Sequence, residues 1–136
     1  MKIKLDAGAF VPERAHYADA GLDLRSPDNY LIPARGSRVI DTGVHVEIPV
    51  GYVGFLKSKS GLNVKYDITS EGVIDSGYSG AVIAKLYNNS DEDYAVSKGD
   101  KITQLVILPC ALFDVELTDE ISSGERGEAG FGSTGR

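Results

Sequence analysis

Cysteine is nearly absent: Cys110 is the only one. No disulfide can therefore form within the chain, and a reducing, cytoplasmic setting is expected. The opening stretch MKIKLDAGAF lacks the long apolar run of a secretory signal, and no run of 18 apolar residues occurs anywhere, so no membrane span is expected. Positive charge is in deficit, with 14 Lys and Arg against 20 Asp and Glu and a formal net charge of −6. That balance argues against a protein that coats nucleic acid through a basic surface, although it leaves room for a local anion site. Histidine is scarce too: His16 and His45 stand far apart in sequence, and neither suggests a metal ligand over a surface or interface role. Long stretches free of Gly and Pro are missing. The longest, Ala81 to Lys98, is centred on NNSDED, a run of turn formers and like charges that disfavours a helix.

What the chain does contain points to strands. Its 136 residues make one domain's worth of chain, with 42% hydrophobic and 25% charged residues, an ordinary globular balance. Val and Ile number 22 against 11 Ala, and 16 Gly and 5 Pro interrupt them at short intervals. Strict alternation in VHVEI turns Val44, Val46 and Ile48 to a core, and FDVEL does the same with Phe113, Val115 and Leu117. AVIAKLY reads as a strand joined by a hairpin turn to another around Tyr94 to Val96. GLNVKY supplies one short helix with Ser60 as its N-cap. Cys110, after an apolar strand, is expected to be buried and inert. The fold class predicted is all-β, a barrel or a jelly roll of two packed sheets with one short helix. Residues 1–120 form the domain and 121–136 a flexible C-terminal arm, since five of the last thirteen residues are glycine.

Five segments place glycine or a small residue beside polar groups where a strand meets a turn: AGLDL (20–24), KSKSGL (57–62), GVIDSGYSG (72–80), GDKITQL (99–105) and the tail RGEAGFGSTGR. Each alone is weak, because GD and SG are common turn dipeptides. In KSKSGL, lysines flank a Ser-Gly turn that leads to a helix start, a setting that favours an anion, against the plainer reading of a solvated basic turn. Gln104 is a polar side chain in the otherwise apolar ITQLVIL, either satisfied by backbone or aimed into a site. Asp75 follows Val73 and Ile74 at a strand end, where a carboxylate can orient water or merely cap the turn, and Tyr78 can make a wall three residues on.

As an ordered set, these segments resemble the motifs of the trimeric deoxyuridine triphosphatases (dUTPases). The set is Ala20-Gly21-Leu22-Asp23-Leu24, Ser60-Gly61-Leu62, Gly72-Val73-Ile74-Asp75 with Tyr78 and Gly80, Gly99-Asp100 with Gln104, and Arg126-Gly127 with Gly130-Phe131-Gly132-Ser133. All five are present in family order, spanning residues 20 to 135.

The resemblance implies a β jelly roll, a homotrimer with active sites shared between subunits, and Mg2+-dependent hydrolysis of dUTP to dUMP and pyrophosphate. On that basis Asp75 activates the attacking water, chiefly by aiming it, and Asp23 holds Mg2+ through water. Lys59, Ser60, Gly61 and Gln104 contact phosphates, with Gln104 also near the water. Tyr78 packs under the deoxyribose, and backbone from Thr69 to Asp75, including Gly72, Val73 and Ile74, reads uracil. Asp100 takes a structural role, holding the second motif's basic residue. In the arm, Arg126, Ser133 and Thr134 grip the γ-phosphate, Phe131 stacks on uracil, and Gly130 and Gly132 let backbone approach. Two positions depart from the common pattern. Lys59 stands for the usual arginine and loses its bidentate fork, and Thr69 replaces a frequent asparagine. A dCTP deaminase is a poorer match, because LNVKYDITSEG after Gly61 offers Glu71 but no arginine. A regulatory protein partner docking on the same scaffold is left open; direct nucleic-acid or membrane binding is not expected.

Overall fold

The computed structural model describes residues 1–125 and 127. Ten strands and one helix lie among them: β1 (Ile3–Leu5), β2 (Gly21–Arg25), β3 (Tyr30–Ile32), β4 (Ser37–Asp41), β5 (Val44–Val46), β6 (Tyr52–Lys57), α1 (Ser60–Tyr66), β7 (Ile68–Ile74), β8 (Ile83–Asn88), β9 (Tyr94–Val96) and β10 (Lys101–Pro109). Six strands form one sheet in the order β2-β10-β6-β7-β8-β4, and the pairs β1-β5 and β3-β9 form two small sheets over it. Every pairing is antiparallel.

Period-two alternation decides which face is buried. In β8, Ala84, Leu86 and Asn88 point inward while Ile83, Lys85 and Tyr87 point out. The inner face of the large sheet carries two apolar clusters. One joins Leu22, Leu24, Leu56, Ile74 and Leu105 to Val44, Val46 and Ile48 beneath the β1-β5 pair. The other joins Ile40, Ile68, Ala84, Leu86 and Ile102 to Ile32 and Val96 of the β3-β9 pair. β7 and β10 feed both clusters, so the curled sheet and its two flaps share a continuous support, the all-β, jelly-roll-like architecture expected. Among the described residues no helix is long and apolar enough to cross a membrane.

Four local expectations need correction. Lys59, not Ser60, occupies the N-cap of α1, and no side chain caps that end; Ser60 is the first helical residue. The helix stops at Asp67, whose left-handed conformation (φ 53°) returns its N–H to Asn63 O. β8 and β9 do not form a hairpin: β8 pairs with β4 and β7, while β9 crosses to β3. The intervening turn is tied instead by Asn88, whose amide donates to Ile32 O (3.2 Å) and Glu92 O (2.8 Å). FDVEL forms no strand: among the described residues regular structure ends at Pro109, and Phe113, Val115 and Leu117 stand 87–100% exposed. Cys110 is only half-buried.

Candidate functional site

Along the outer face of the sheet, β2, β10, β6 and β7 align Asp23, Gln104, Lys57 and Glu71 in one row. Because Leu22 and Leu24 face the core, Asp23 must face outward. It is nonetheless only 3% exposed. Lys59 Nζ bonds its Oδ1, Lys101 Nζ sits 2.7 Å from Oδ2, and the backbone of Glu13 bridges to β2 beside it. Burial pushes the Asp23 carboxyl up, but the hydrogen bonds and charges of Lys101 and Lys59 outweigh it and hold the group below the usual carboxylate range. Lys59 therefore pairs with Asp23 and not with Asp100, whose carboxylate accepts the Ser97 N–H across its own turn (2.8 Å).

Gln104 donates from Nε2 to Ser58 O (2.9 Å), so the backbone satisfies one end of the amide. Its other end lies over Gly21, where a Cβ would meet Gln104 Oε1 at 2.2 Å. Glycine in the first motif is what makes room for the glutamine of the fourth. Ser58 closes the strand ends, accepting Ser70 N–H (2.9 Å) and donating to Ser70 O (3.2 Å). The chain then turns out into Ser60 and Gly61, both exposed, with open space where a Gly61 Cβ would sit. Lys59 and Lys101 share Asp23 and Lys57 pairs with Glu71, so three ammonium groups face two carboxylates on the strands that lead to Ser60. Lys101 was not singled out in the sequence, although its place after the Gly99-Asp100 turn marks it in retrospect.

The third motif makes a separate feature. Ile74 anchors the end of β7 in the core, Val73 faces out, and Gly72 lets the backbone lie close over Leu56 (3.3 Å from a would-be Cβ). Asp75 follows, exposed at the strand end. Its carbonyl accepts Tyr78 N–H (3.2 Å) in a turn that needs Gly77 at φ 86°. The Tyr78 hydroxyl donates to Ala81 O (3.0 Å), and a Cβ at Gly80 would strike that hydroxyl at 2.3 Å. Tyr78 is therefore folded back over glycine with its ring 45% exposed, a fixed wall open on one side.

The structure brings together Asp23, Lys59, Ser60, Gly61 and Gln104, but leaves Asp75 and Tyr78 apart from them. Glu71 lies level with Gln104 in the row, and Asp75 is four residues further along β7, about 13 Å at ~3.3 Å per residue. Ser60 lies beyond the opposite end of the pairing. Thr69 keeps its hydroxyl for Asn89 Nδ2 (3.4 Å). The expected contacts of Arg126, Gly130, Phe131, Gly132, Ser133 and Thr134 lie outside the described residues.

As to a metal, no group of three or more His, Cys, Asp or Glu side chains is gathered among the described residues. Asp23 is a lone buried carboxylate already faced by two ammonium groups. Such a donor set does not hold a resident ion, but it fits Mg2+ that arrives with phosphate oxygens and keeps its own waters.

The dUTPase family model matches residues 8–135. The deoxyuridine 5'-triphosphate nucleotidohydrolase of Clostridium acetobutylicum is 45% identical, over 99% of this chain and 96% of that protein. The dUTPase of Staphylococcus bacteriophage 80alpha, solved with dUpNHpp, superposes with a TM-score of 0.93 at 34% identity, covering 99% of this chain and 98% of that one. A mutant dUTPase of S. aureus phage phi11, described as revealing coordination of a structural Mg(II) ion, gives a TM-score of 0.83 at 31% identity over 90% of this chain and 98% of that one. With an ordered set of motifs, a matching fold and relatives aligned end to end, the chain belongs to the dUTPase family.

Proposed function

We propose that this protein hydrolyses dUTP to dUMP and pyrophosphate with Mg2+, at sites assembled between subunits of a homotrimer. The observation that carries the reading is the lysine-rich Ser60 corner beside a buried Asp23 and a backbone-anchored Gln104, on the same chain as an exposed Asp75 and a glycine-backed Tyr78. In one chain Asp75 and Ser60 lie beyond opposite ends of the β6-β7 pairing, which favours a second copy bringing Asp75 to the phosphate corner. Two further features favour association. The outer face of the sheet carries a row of Val106, Phe55 and Val73, and the alternating FDVEL segment pairs with no strand among the described residues, both of which suit burial against neighbouring copies.

In this reading Ser60, the backbone at Gly61, and Lys59 bind the triphosphate. Phosphate oxygens give the ammonium groups of Lys59 and Lys101 competing acceptors and release Asp23 to hold a water of the Mg2+ shell. Bound there, Mg2+ neutralises triphosphate charge. Asp75 aims a water at the α-phosphorus and accepts its proton as the new P–O bond forms and the bond from the α-phosphorus to the α–β bridging oxygen breaks, pyrophosphate taking that oxygen away, while Gln104 steadies the same water. Backbone from Thr69 to Asp75, with Gly72, Val73 and Ile74, pairs with the uracil edge. Tyr78 lies under the sugar and leaves no room for a 2′-hydroxyl. The arm closes last, with Arg126, Ser133 and Thr134 on the γ-phosphate, Phe131 on the base, and Gly130 and Gly132 allowing the close approach. Pyrophosphate release from dUTP, UTP and dCTP in the presence of Mg2+ tests the assignment. Rapid turnover of dUTP alone is expected, and equal turnover of UTP would remove Tyr78 from its role.

A further inference from the structure

The connection that carries Tyr78 is tied to the rest of the molecule by one side chain that no motif includes. His45, in β5, places Nδ1 2.8 Å from the carbonyl oxygen of Ser79 and Nε2 3.0 Å from Oδ2 of Asp6. Both partners are acceptors. A neutral imidazole has a single N–H and can satisfy only one of them, leaving a lone pair facing an oxygen at the other; the imidazolium donates to both. The His45 side chain is 18% exposed and that of Asp6 50%, so the ring is the more shielded member of the pair.

The ring therefore spans two loops, joining the turn after β1 to Ser79, one residue beyond Tyr78. The ring itself borders a cavity of about 590 Å³ whose wall includes Gly77, Tyr78 and Ser79. The Tyr78 ring is fixed from within its turn by Ala81 O and Gly80. Among the hydrogen bonds of the described side chains, His45 supplies the tie from outside that turn.

Resting on the proposed nucleotide site, we infer that His45 is a positioning residue: as an imidazolium bridging Asp6 and Ser79, it sets the Tyr78 wall and hence nucleotide affinity. The charged groups around it are Asp6, which favours the cation, Lys4 opposite it in β1, which opposes it, and the Lys2–Glu47 pair at the cavity rim. The Ser79 and Asp6 hydrogen bonds raise the ring above its ordinary value of 6.5, against desolvation and Lys4. A raised value means the bridge is complete below pH 6.5 and is lost as pH climbs through the folded-state value.

The test uses full-length protein with labelled histidine rings. The His45 ring signals are assigned by their loss in His45→Gln. The ring is expected to keep both N–H protons above pH 6.5, and the Gly77 and Ser79 amide signals should follow its titration. Asp6→Asn should lower the midpoint. KM for dUTP should rise roughly threefold to tenfold through the same midpoint while kcat changes less, and His45→Gln should hold KM at its high-pH value throughout. A His45 midpoint at or below the ordinary value of 6.5, or amides and KM that ignore it, overturns the inference. If the protein turns over no dUTP at any pH, the functional reading fails, while the ring and amide titrations still decide whether the bridge exists.

Discussion

Asp75 and Asp23 are both carboxylates in contrasting surroundings, and the proposed mechanism gives them different work. Asp75 is exposed at a strand end and free to meet water, whereas Asp23 is enclosed by two lysines. Asp75→Asn keeps size and turn geometry and removes the proton acceptor. It should lower kcat by about 10² to 10⁴ while leaving dUTP affinity, measured calorimetrically, within a few-fold; retained turnover would refute the assignment. Asp23 predicts an acid-side stability change. Its carboxyl is depressed in the folded protein, so the stabilisation is present above the ordinary value of 3.8 and disappears as pH falls through the folded value. Urea midpoints should drop over that window, and Asp23→Asn should flatten the drop. At this scale the sequence displayed Asp23, Gln104 and Ser60 through their motif context. Lys101 and the His45 bridge stayed hidden, because a lysine after a turn and a histidine in a strand look like surface groups until a distant partner is known.

At the level of elements, glycines decide which strands can approach. Gly21→Ala would drive a methyl into Gln104, the flexible end of a side chain, so the main loss should be in turnover. A drop in kcat with a melting shift of only a few degrees is expected; a large loss of stability would mean that Gly21 serves packing instead. Leu24→Ala removes a fully buried side chain from the cluster under β1-β5 and should cost about 2–5 kcal/mol, read by urea unfolding. VHVEI was legible because local alternation and burial agree there. The β8–β9 connection was not, since NNSDED signals a turn without saying which strand receives the chain after it. FDVEL shows the same gap: its pattern demands a partner that the described residues do not supply.

For the whole molecule, the proposed shared site makes association a condition of activity. Sedimentation should find trimers, and a stable, fully active monomer would contradict the shared site. Removing residues 124–136 should leave folding and assembly intact and cripple turnover, because β10 ends at Pro109 and both core clusters lie before it; an unfolded truncation would assign the arm to the core. The most direct test of the central claim is hydrolysis of dUTP with Mg2+ in ¹⁸O-labelled water, with mass analysis of both products. Attack by an Asp75-aimed water on the α-phosphorus predicts one ¹⁸O in dUMP and none in pyrophosphate, whereas label in pyrophosphate, or no hydrolysis, would contradict it.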